Sequence, residues 1–517
     1  MNRYSVSAAI FAALFILGFS PAAAQDVTLT SRDGKIELSG TLKSFDGEFY
    51  SIDTIYGRLV LDGQGVLCSG PGCPDMDAYV AEFTFSGAPG LGEVLIPALI
   101  EAFAAQRGLS LTRVVEGAGR FRLDLRDAAS GRDVARIGFH LSTTAEGFAD
   151  LLADEADIAM AVREIRPQEA ALGAEAGLGD LTAPARSRIV ALDALVPIVG
   201  RGNPVKRVSV ERLARMLSGK ITDWPEQRAP IAVNQREKGA GLRQAVEDQI
   251  LAPNGLTLSD GAQTRADDAG LADAVAQDPL ALGVARFSEI GNAVPLSLVG
   301  DCGMPLTLDR RALKAEDYPF STPLLLYTPA RRLPLVAREF LEFLTTPAAQ
   351  RVVRQAGFVD TRWERTALGA QGERFANAIA NAGPEVPLSE LQRMVKVLRG
   401  AERLTTTFRF RGGSATLDTQ SAGNVADLAR ALESGRFDDR ELLFVGFSDG
   451  EGDWRVNRRI ARERAEAVRS AVQKAAFTAD PSRIDLRLEA FGEALPMACD
   501  DTNWGRRVNR RVEVWLR

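Results

Sequence analysis

The sequence predicts a multidomain protein with a small N-terminal β unit, a larger α/β domain and a C-terminal α+β domain. With 517 residues the chain exceeds what one core normally accommodates. The first block contains short predicted strands separated by glycines. In the second block, apolar runs alternate with helical stretches, and the last block has a predicted β-α-β-α-β-β order. Apolar residues make up 46% and charged residues 25%, as in ordinary soluble proteins. The net charge of -6 argues against a general nucleic-acid binder.

The first 24 residues predict an export signal peptide. Arg3 supplies a positive start, Ala8–Phe19 is a short apolar run, and the small residues before Gln25 suit cleavage near Ala24. A membrane anchor is the alternative, but the run is too short to span a bilayer comfortably. The cleavage site carries no Cys, which argues against a lipoprotein, and no later segment is apolar enough to cross a membrane. We therefore expect a mature protein without a transmembrane segment, outside the cytoplasm.

The four cysteines predict two disulfides, because an even number in an exported chain is typical of paired thiols. Cys68 and Cys73 flank Ser-Gly-Pro-Gly, a turn sequence that lets the two sulfurs meet. Cys302 and Cys499 would join the α/β domain to the C-terminal domain, and the alternative for this pair is two buried free thiols. A metal site is not expected, since the spacings are wrong and His140 is the only histidine.

Residues 25–78 predict four or five short antiparallel strands, forming a small SH3-like barrel. Val27–Thr30, Lys35–Leu38 and Arg58–Leu61 have alternating or β-branched patterns, and glycines separate them. No residue in this unit indicates catalysis.

Residues 79–360 predict an α/β domain, with strands at Phe83–Gly87 and Ala156–Met160 and a helix at Gly92–Arg107. Four segments in order carry a family resemblance: Leu151–Met160 with Arg163–Glu169, Ile189–Val199 with Asn203–Val205, Leu217–Trp224, and Arg236–Arg243. The block resembles the phosphate-type substrate-binding proteins of ABC importers. This resemblance implies two α/β lobes joined by a hinge, with a ligand in the cleft between them.

The cleft departs from the family, whose phosphate binders hold the anion with Ser and Thr hydroxyls, helix N-terminal amides and one Arg. Three positions that would carry hydroxyls are apolar; they lie in Gly87–Gly90, Ala161–Val162 and Ala240–Leu242. The remaining candidates for the cleft are Ser142, Thr143, Arg163, Arg236, Gly241 and Arg243. Ser142 is expected to be a helix N-cap, or alternatively an anion donor. A larger anionic group, or no small ligand, fits these residues better than phosphate.

Residues 361–403 predict a linker with one helix at Leu388–Leu398, and residues 404–517 predict the last domain. Its expected elements are strands Thr405–Phe410, Glu441–Gly446, Asp485–Ala490 and Val512–Leu516 and helices Asn424–Leu432 and Val456–Ala475.

Two motifs in this domain carry a second resemblance. The first contains Gly446-Phe447-Ser448-Asp449, Gly452, Asn457, Ile460 and Arg464-Ala465. The second contains Gly492-Glu493, Pro496, Asp501-Thr502, Gly505-Arg506 and Asn509-Arg510-Arg511-Val512. The block resembles the OmpA-like peptidoglycan-binding domain over nearly its full length. The family usually has His at Phe447 and Ser at Ala461.

A peptidoglycan stem peptide with diaminopimelate presents an ammonium and a carboxylate, so a site that reads both needs a fixed anion and a fixed cation. The resemblance implies that Asp449 binds the ammonium and that Arg464 binds the carboxylate, with Asn457 shaping the loop. An Arg suits a carboxylate because its guanidinium makes two parallel hydrogen bonds. The alternative is an ordinary ion pair between Asp449 and Arg464. Asn509–Arg511 is expected to be structural, closing against the sheet edge, with a direct ligand role as the alternative.

No enzyme constellation or cofactor motif stands out in the sequence. We therefore predict a non-enzymatic periplasmic protein that binds peptidoglycan and carries a second domain for ligand sensing or scaffolding. The first alternative is the solute-binding component of a phosphate or other anion ABC importer. The second, an enzyme acting on the cell wall, lacks a recognisable general acid or nucleophile.

Overall fold

The structure is a computed structural model that describes residues 26–75, 79–225, 228–380, 385–410 and 416–517. The predicted signal peptide lies outside the described residues. The chain forms two compact units, which divide after Ala81. In the described ranges, no helix combines the length and the apolar character needed to cross a membrane.

The first unit is a five-stranded antiparallel sheet. Its strands are β1 (Asp26–Ser31), β2 (Glu37–Phe45), β3 (Phe49–Thr54), β4 (Gly57–Asp62) and β5 (Val66–Ser69). They pair in the order β4-β3-β2-β1-β5, so the last strand lies beside the first. Val27, Leu29, Tyr50 and Ile52 alternate toward one face and form the core. The predicted β unit and the Cys68–Cys73 disulfide are confirmed, while closure into an SH3-like barrel stays a prediction.

The α/β domain is built on one long mixed sheet. Its strands are β6 (Ala81–Gly87), β7 (Leu109–Gly117), β8 (Arg120–Asp127), β9 (Asp133–Leu141), β10 (Ile158–Ala161), β11 (Ser187–Val199), β12 (Arg207–Ser209), β13 (Asp223–Trp224), β14 (Ala229–Pro230), β15 (Ala232–Arg236), β16 (Gln263–Arg265), β17 (Ala281–Arg286), β18 (Val294–Pro295), β19 (Ser297–Val299), β20 (Pro305–Leu306) and β21 (Ser321–Tyr327). Its helices are α1 (Ile96–Gln106), α2 (Thr144–Leu152), α3 (Pro167–Glu175), α4 (Val210–Leu217), α5 (Gly241–Val246), α6 (Asp268–Gln277), α7 (Arg310–Lys314), α8 (Leu335–Phe343) and α9 (Pro347–Gln355).

Two lobes share this sheet, as the sequence predicted, and β11 runs through both. The strand order of the long sheet is β16-β15-β17-β11-β21-β10-β6-β9-β8-β7, and β18 also pairs with β11. The remaining strands form two small sheets, β12-β19-β20 and β13-β14. Residues 187–194 of β11 pair with β21, and residues 195–199 pair with β17. The near-continuous apolar run of β11 fits a strand buried on both faces. The strand β11 therefore connects the two lobes and places the ends of β6, β15 and β17 around one cleft.

From Glu402 onward the C-terminal domain follows the predicted β-α-β-α-β-β order, with one additional short helix before the last strand. Its strands are β22 (Arg365–Ala367), β23 (Glu402–Arg409), β24 (Arg440–Phe447), β25 (Ile484–Gly492) and β26 (Arg511–Leu516), and its helices are α10 (Gly372–Ala380), α11 (Leu388–Leu398), α12 (Thr419–Glu433), α13 (Trp454–Ala475) and α14 (Asn503–Asn509). The sheet order is β22-β23-β26-β24-β25, and only β24 and β25 are parallel among the described pairs. Helices α12 and α13 pack on one face of the sheet.

The segment 361–403 was predicted as a linker from its composition, but its described parts, 361–380 and 385–403, are folded onto the C-terminal sheet instead. Strand β22 pairs with β23, and α11 begins and ends where the sequence predicted. Leu391, Met394 and Leu398 lie one helical turn apart and pack with Phe447 and Trp515 in a second core. The Ala- and Asn-rich composition hid this role, because a few apolar side chains at helical spacing are enough to cover a sheet face.

The two domains of the second unit are joined by a covalent bond and a shared core. Cys302 forms a disulfide with Cys499, which confirms the predicted bridge. A side chain at Gly300 would overlap the Cys499 sulfur, so this position requires glycine. Ala498 and Val508 of the C-terminal domain are buried in the hydrophobic core of the α/β domain. The C-terminal domain is therefore docked on the second lobe.

A buried carboxylate, Glu513 on β26, accepts hydrogen bonds from three side chains at this junction and forms an ion pair with a fourth. Arg511 Nε lies 2.8 Å from its Oε1 and Trp515 Nε1 donates to its Oε2 at 3.0 Å. Arg374 on α10 donates to Oε1, and Arg403 Nε lies 3.4 Å from Oε2. Burial alone would raise the pKa of Glu513, but the charges of the three arginines lower it well below its usual range. This carboxylate thus ties α10, β23 and β26 together.

We predict that Glu513→Gln destabilises the second unit by about 3–5 kcal/mol, because three buried guanidinium groups lose their shared counter-charge. Glu463→Gln on the exposed face of α13 is the matched control and should change stability by less than about 0.5 kcal/mol. Urea unfolding followed by circular dichroism measures both. Equal stability of Glu513→Gln and the wild type would contradict the role of the network.

A second prediction concerns Glu316, which lies beside Arg409 at the junction. Burial raises the pKa of Glu316 to about 8, and the charge of Asp418 adds to this, while Arg409 and Arg507 oppose it. The folded state therefore keeps a proton that the unfolded state has lost, so stability falls as pH rises from about 4.5 to about 8.

Glu316→Gln cannot titrate, so it should match the wild type near pH 5 and exceed its stability at about pH 9. We expect a gain on the order of 1–2 kcal/mol, because the nearby charge of Arg409 offsets part of the cost of burying the carboxylate. Urea unfolding at the two pH values measures this. A gain of the same size at both pH values would show that proton binding is not the cause.

Candidate functional site

The C-terminal domain places its candidate site in the loop after β24 and on the first turns of α13. A side chain at Gly446 would overlap the carbonyl oxygen of Ala461, so the glycine lets α13 pack directly on β24. The N–H of Ser448 donates to Gly492 O at 2.9 Å, which connects this loop to the end of β25. Asp449 follows, with its side chain 12% exposed. Sheet and helix thereby hold the Asp449 carboxylate at a defined position.

Asp449 forms its ion pair with Arg510. Arg510 Nη1 donates to Asp449 Oδ2 at 2.5 Å. The next residue, Gly450, donates its N–H to Asp500 Oδ2 at 2.8 Å, and Asn509 Nδ2 donates to Asp500 Oδ1 at 2.8 Å. The Asp449 loop and the 496–510 segment therefore form one hydrogen-bonded assembly. The sequence analysis did not predict the Asp449–Arg510 pair.

Arg464 lies on α13 with its guanidinium carbon 5.6 Å from the centre of the Phe410 ring. Among the described residues it has neither a hydrogen bond nor an ion pair, and residues 411–415, next to Phe410, are not described. Burial lowers the pKa of Arg464, the charge of Arg510 lowers it further, and the charge of Asp449 opposes this. The alternative of an ordinary Asp449–Arg464 ion pair is wrong, because the ion-pair partner of Asp449 is Arg510. Arg464 is thus a half-buried cation that lies within electrostatic reach of Asp449.

Asn457 is buried at the start of α13 and donates to Glu493 Oε2 at 2.5 Å. Burial raises the pKa of Glu493, the hydrogen bond from Asn457 lowers it, and the charges of Glu385, Asp500 and Asp449 raise it again. Asn457 therefore holds the loop after β25 against the helix, as the resemblance implied for this position. Glu493, Asp500 and Asp449 together make one side of the site acidic.

Two residues of the Asn509–Arg511 motif are fully buried in structural positions. Asn509 Oδ1 accepts hydrogen bonds from the N–H groups of Met497 (2.7 Å) and Ala498 (3.2 Å). Arg511 lies 4.3 Å from the centre of the Phe447 ring, in addition to its bond with Glu513. Phe447, where the family usually has His, is thus part of the core.

In the α/β domain, the N-cap of α2 lies one residue after Ser142, the position that the sequence predicted. The helix α2 is capped by Thr143, whose Oγ1 accepts from Glu146 N at 3.1 Å. Ser142 is not the cap; its N–H donates to Gly87 O at 2.8 Å and so ties the helix start to the loop after β6. A run of three hydroxyl residues leaves the cap position open to sequence analysis, because each of them suits it.

The three candidate arginines of the cleft bind acidic groups of the chain itself. Arg163 forms two hydrogen bonds with Glu169 (2.7 and 2.8 Å), and Arg243 donates to Glu247 at 2.8 Å. Arg236 pairs with Asp268 on α6. Gly241 begins α5. Guanidinium groups that are already paired with carboxylates of the chain offer little to a small anion unless they rearrange.

The sequence analysis missed two buried charges on β11 and β17, close to where the two lobes meet. Arg286, at the end of β17, lies next to Gly241 and pairs with Asp268. Asp193, within β11, accepts hydrogen bonds from Ser288 N and Oγ at 3.1 and 2.7 Å. Burial raises the pKa of Asp193, while the charge of Arg286 and the hydrogen bonds lower it. A lone Asp in an apolar strand was a visible signal, since a buried charge needs a partner.

The single histidine takes part in a buried cluster with Ser86 and Asp150. His140 Nδ1 lies 2.6 Å from Asp150 Oδ2, and Ser86 Oγ donates to the same oxygen at 2.5 Å. A nucleophilic serine would need to donate to the imidazole and to reach substrate, whereas Ser86 is fully buried. Within the described ranges, no group of three His, Cys, Asp or Glu side chains could hold a metal ion.

The comparisons with known proteins agree with these two folds. Residues 139–348 match the PBP superfamily domain, and residues 409–510 match the OmpA family. The chain joins a PBP-like domain to an OmpA-like domain. A further relative is "Probable lipoprotein YiaD" of Escherichia coli (strain K12), 33% identical over 107 residues, which are 21% of this chain and 46% of the relative. The chain thus spans about half the length of that curated relative.

Two solved structures resemble single parts of the chain. An ABC-type phosphate transport receptor from Vibrio cholerae is 18% identical, with a TM-score of 0.40, over 54% of this chain and 99% of the receptor. The peptidoglycan-associated lipoprotein from Burkholderia pseudomallei is 22% identical, with a TM-score of 0.19, over 22% of this chain and 90% of the lipoprotein. These identities are low, so the assignment of the two domains comes from the family matches.

The interdomain disulfide is expected to hold the OmpA-like site in shape, because Cys499 directly precedes Asp500, which binds the Asp449 loop. We predict that Cys302→Ser/Cys499→Ser lowers the stability of the second unit by about 2–5 kcal/mol. Thermal unfolding measures this, with Cys68→Ser/Cys73→Ser as the matched control in the other unit. If the control lowered the stability of the second unit equally, the loss would not come from the interdomain bond.

Proposed function

We propose that this protein is a non-enzymatic component of the bacterial periplasm that binds peptidoglycan through its OmpA-like domain. Its PBP-like domain is carried as a sensing or scaffolding module. Two disulfides support an oxidising compartment outside the cytoplasm. The ligand of the OmpA-like domain is a stem peptide with diaminopimelate, which offers an ammonium and a carboxylate.

The observation that carries the proposal is the half-buried Arg464, which has neither a hydrogen bond nor an ion pair among the described residues and lies beside the Phe410 ring there. A guanidinium removed from water gains from a carboxylate more than an exposed one does. The nearest anion, Asp449, is already engaged by Arg510. A ligand carboxylate would supply the missing counter-charge.

The acidic side of the site supports the other half of the ligand. Asp449 keeps one carboxylate oxygen without a described hydrogen bond, since Arg510 donates to Oδ2 alone. Asp500 and Glu493 lie within electrostatic reach of Asp449. A ligand ammonium would therefore meet an acidic surface close to the cation that binds its carboxylate.

The alternative of an importer component finds less support in the cleft. Arg163, Arg236 and Arg243 are all paired within the chain. The loops that would carry hydroxyls have Ala, Gly and Leu. Docking of the OmpA-like domain on the second lobe also favours a module that stays with the wall over one that shuttles to a permease.

Sedimentation with purified peptidoglycan tests the proposal. The wild type should pellet with the wall, and Asp449→Ala and Arg464→Ala should each bind about 10- to 100-fold more weakly, since each loses a charge-assisted hydrogen bond. Asp449→Asn tests whether binding needs the negative charge, because this variant keeps the shape of the side chain and one oxygen but loses the charge.

Two exposed residues of the same domain provide matched controls. Arg462→Ala removes a charge two residues from Arg464, and Asp485→Ala removes one at the start of β25, at the end of that strand away from the site. Both should bind like the wild type. The proposal fails if the wild type stays in the supernatant, or if the control variants lose binding as much as the site variants.

A further inference from the structure

One carboxylate bridges two buried arginines in the PBP-like domain. Asp268, the first residue of α6, pairs through Oδ1 with Arg236 at the end of β15, and its Oδ2 lies 3.3 Å from Arg286 Nε at the end of β17. The three side chains are 17%, 14% and 8% exposed. Such a bridge is the arrangement by which a small oxyanion is held between two guanidinium groups.

The bridge lies where the two lobes face each other. A Cβ placed at Gly90, in the loop after β6, would lie 3.8 Å from Arg286 Nε, and one at Gly241, the start of α5, would lie 3.8 Å from Arg286 Nη2. Gly90 belongs to the first lobe and Gly241 to the second. The Arg286 guanidinium therefore stands between the two loops that border the cleft.

Little room is left beside Arg236. Its remaining donors bind Glu237 (2.9 Å) and the carbonyl oxygens of Arg265 (3.2 Å) and Ala266 (2.9 Å). The cavity that borders it measures about 10 Å³ and is lined mainly by apolar side chains. That volume suits no more than one water molecule. An added oxyanion would have to displace the Asp268 carboxylate.

Asp268 is not needed for the helix end itself. The N-cap of α6 is the preceding residue, Asp267, whose side chain accepts from Gly270 N at 2.6 Å. The Asp268 carboxylate instead points to the two arginines. Its position is thus explained by charge pairing in the cleft.

We propose that Asp268 is a specificity-determining residue that occupies the oxyanion position of the cleft and so excludes small inorganic anions such as phosphate and sulfate. This inference deepens the proposed function, because it explains why the PBP-like domain would act as a scaffold. Only that explanation rests on the proposed function. Removal of the carboxylate leaves two guanidinium groups facing a vacated position. An added oxyanion then restores the lost counter-charge.

Titration calorimetry and thermal unfolding with inorganic phosphate and sulfate test this on the full mature chain. The wild type should bind neither anion measurably. Asp268→Asn should bind phosphate or sulfate at least about tenfold more tightly than the wild type, and its Tm should rise when the anion is added. Asp268→Ser is the second variant, in case the amide still fills the position. Asp267→Asn removes the same charge one residue away and keeps the cap, so it should behave like the wild type.

The double variant Asp268→Asn/Arg286→Gln should lose the gained binding, which assigns the new site to the bridged arginines. Phosphate binding by the wild type as tight as by Asp268→Asn overturns the proposal, and so does the absence of any anion gain in both Asp268 variants. Sedimentation with peptidoglycan is measured on the same samples, because the wall site lies in the other domain. A chain that pellets normally without an anion gain disproves this inference alone, and a chain that never pellets disproves the proposed function instead.

Discussion

The arrangement of the second unit depends on the buried carboxylate of Glu513. Arginines from α10, β23 and β26 reach the same two oxygens, so the segment before the C-terminal sheet and the sheet itself share one counter-charge. Arg403 then continues to Asp317 of the PBP-like domain at 2.7 Å. Buried charges tolerate few alternative positions, because each unpaired group costs several kcal/mol. The docking of the two domains therefore depends on the pairing of these buried charges as well as on the apolar contact around Val508.

Docking has a direct consequence for the candidate wall site. The loop that carries Asp500 is tied to the second lobe by Cys499 and to the Asp449 loop by the Gly450 N–H. A displacement of the lobe would therefore reach the site through one disulfide and one hydrogen bond. A flexible tether between a binding domain and a wall anchor would isolate the two domains, whereas this chain joins them through a disulfide, a shared core and buried ion pairs.

Local patterns predicted the parts of this structure that depend on neighbours in sequence. The strand before Asp449, the helix with Asn457 and Arg464, and the β order of the C-terminal domain are set by periodicity and glycine positions. The partner of Asp449 was beyond that reasoning, because Arg510 lies 61 residues away and several arginines were equally suitable. The same holds for the Asp268–Arg286 pair, since a helix residue and a strand residue can pair only once the fold brings their two elements together.

The two domains differ most in how their arginines are neutralised. In the PBP-like cleft, Arg236 and Arg286 share the carboxylate of Asp268, so the protein itself supplies the anion. In the OmpA-like site, Arg510 takes Asp449 and leaves Arg464 half-buried beside an aromatic ring. A guanidinium without a partner binds an incoming carboxylate without first breaking an ion pair, while a bridged one must exchange partners. This difference favours the proposed capture of a ligand carboxylate by the C-terminal domain, and it explains why a small anion would have to compete with Asp268 in the cleft.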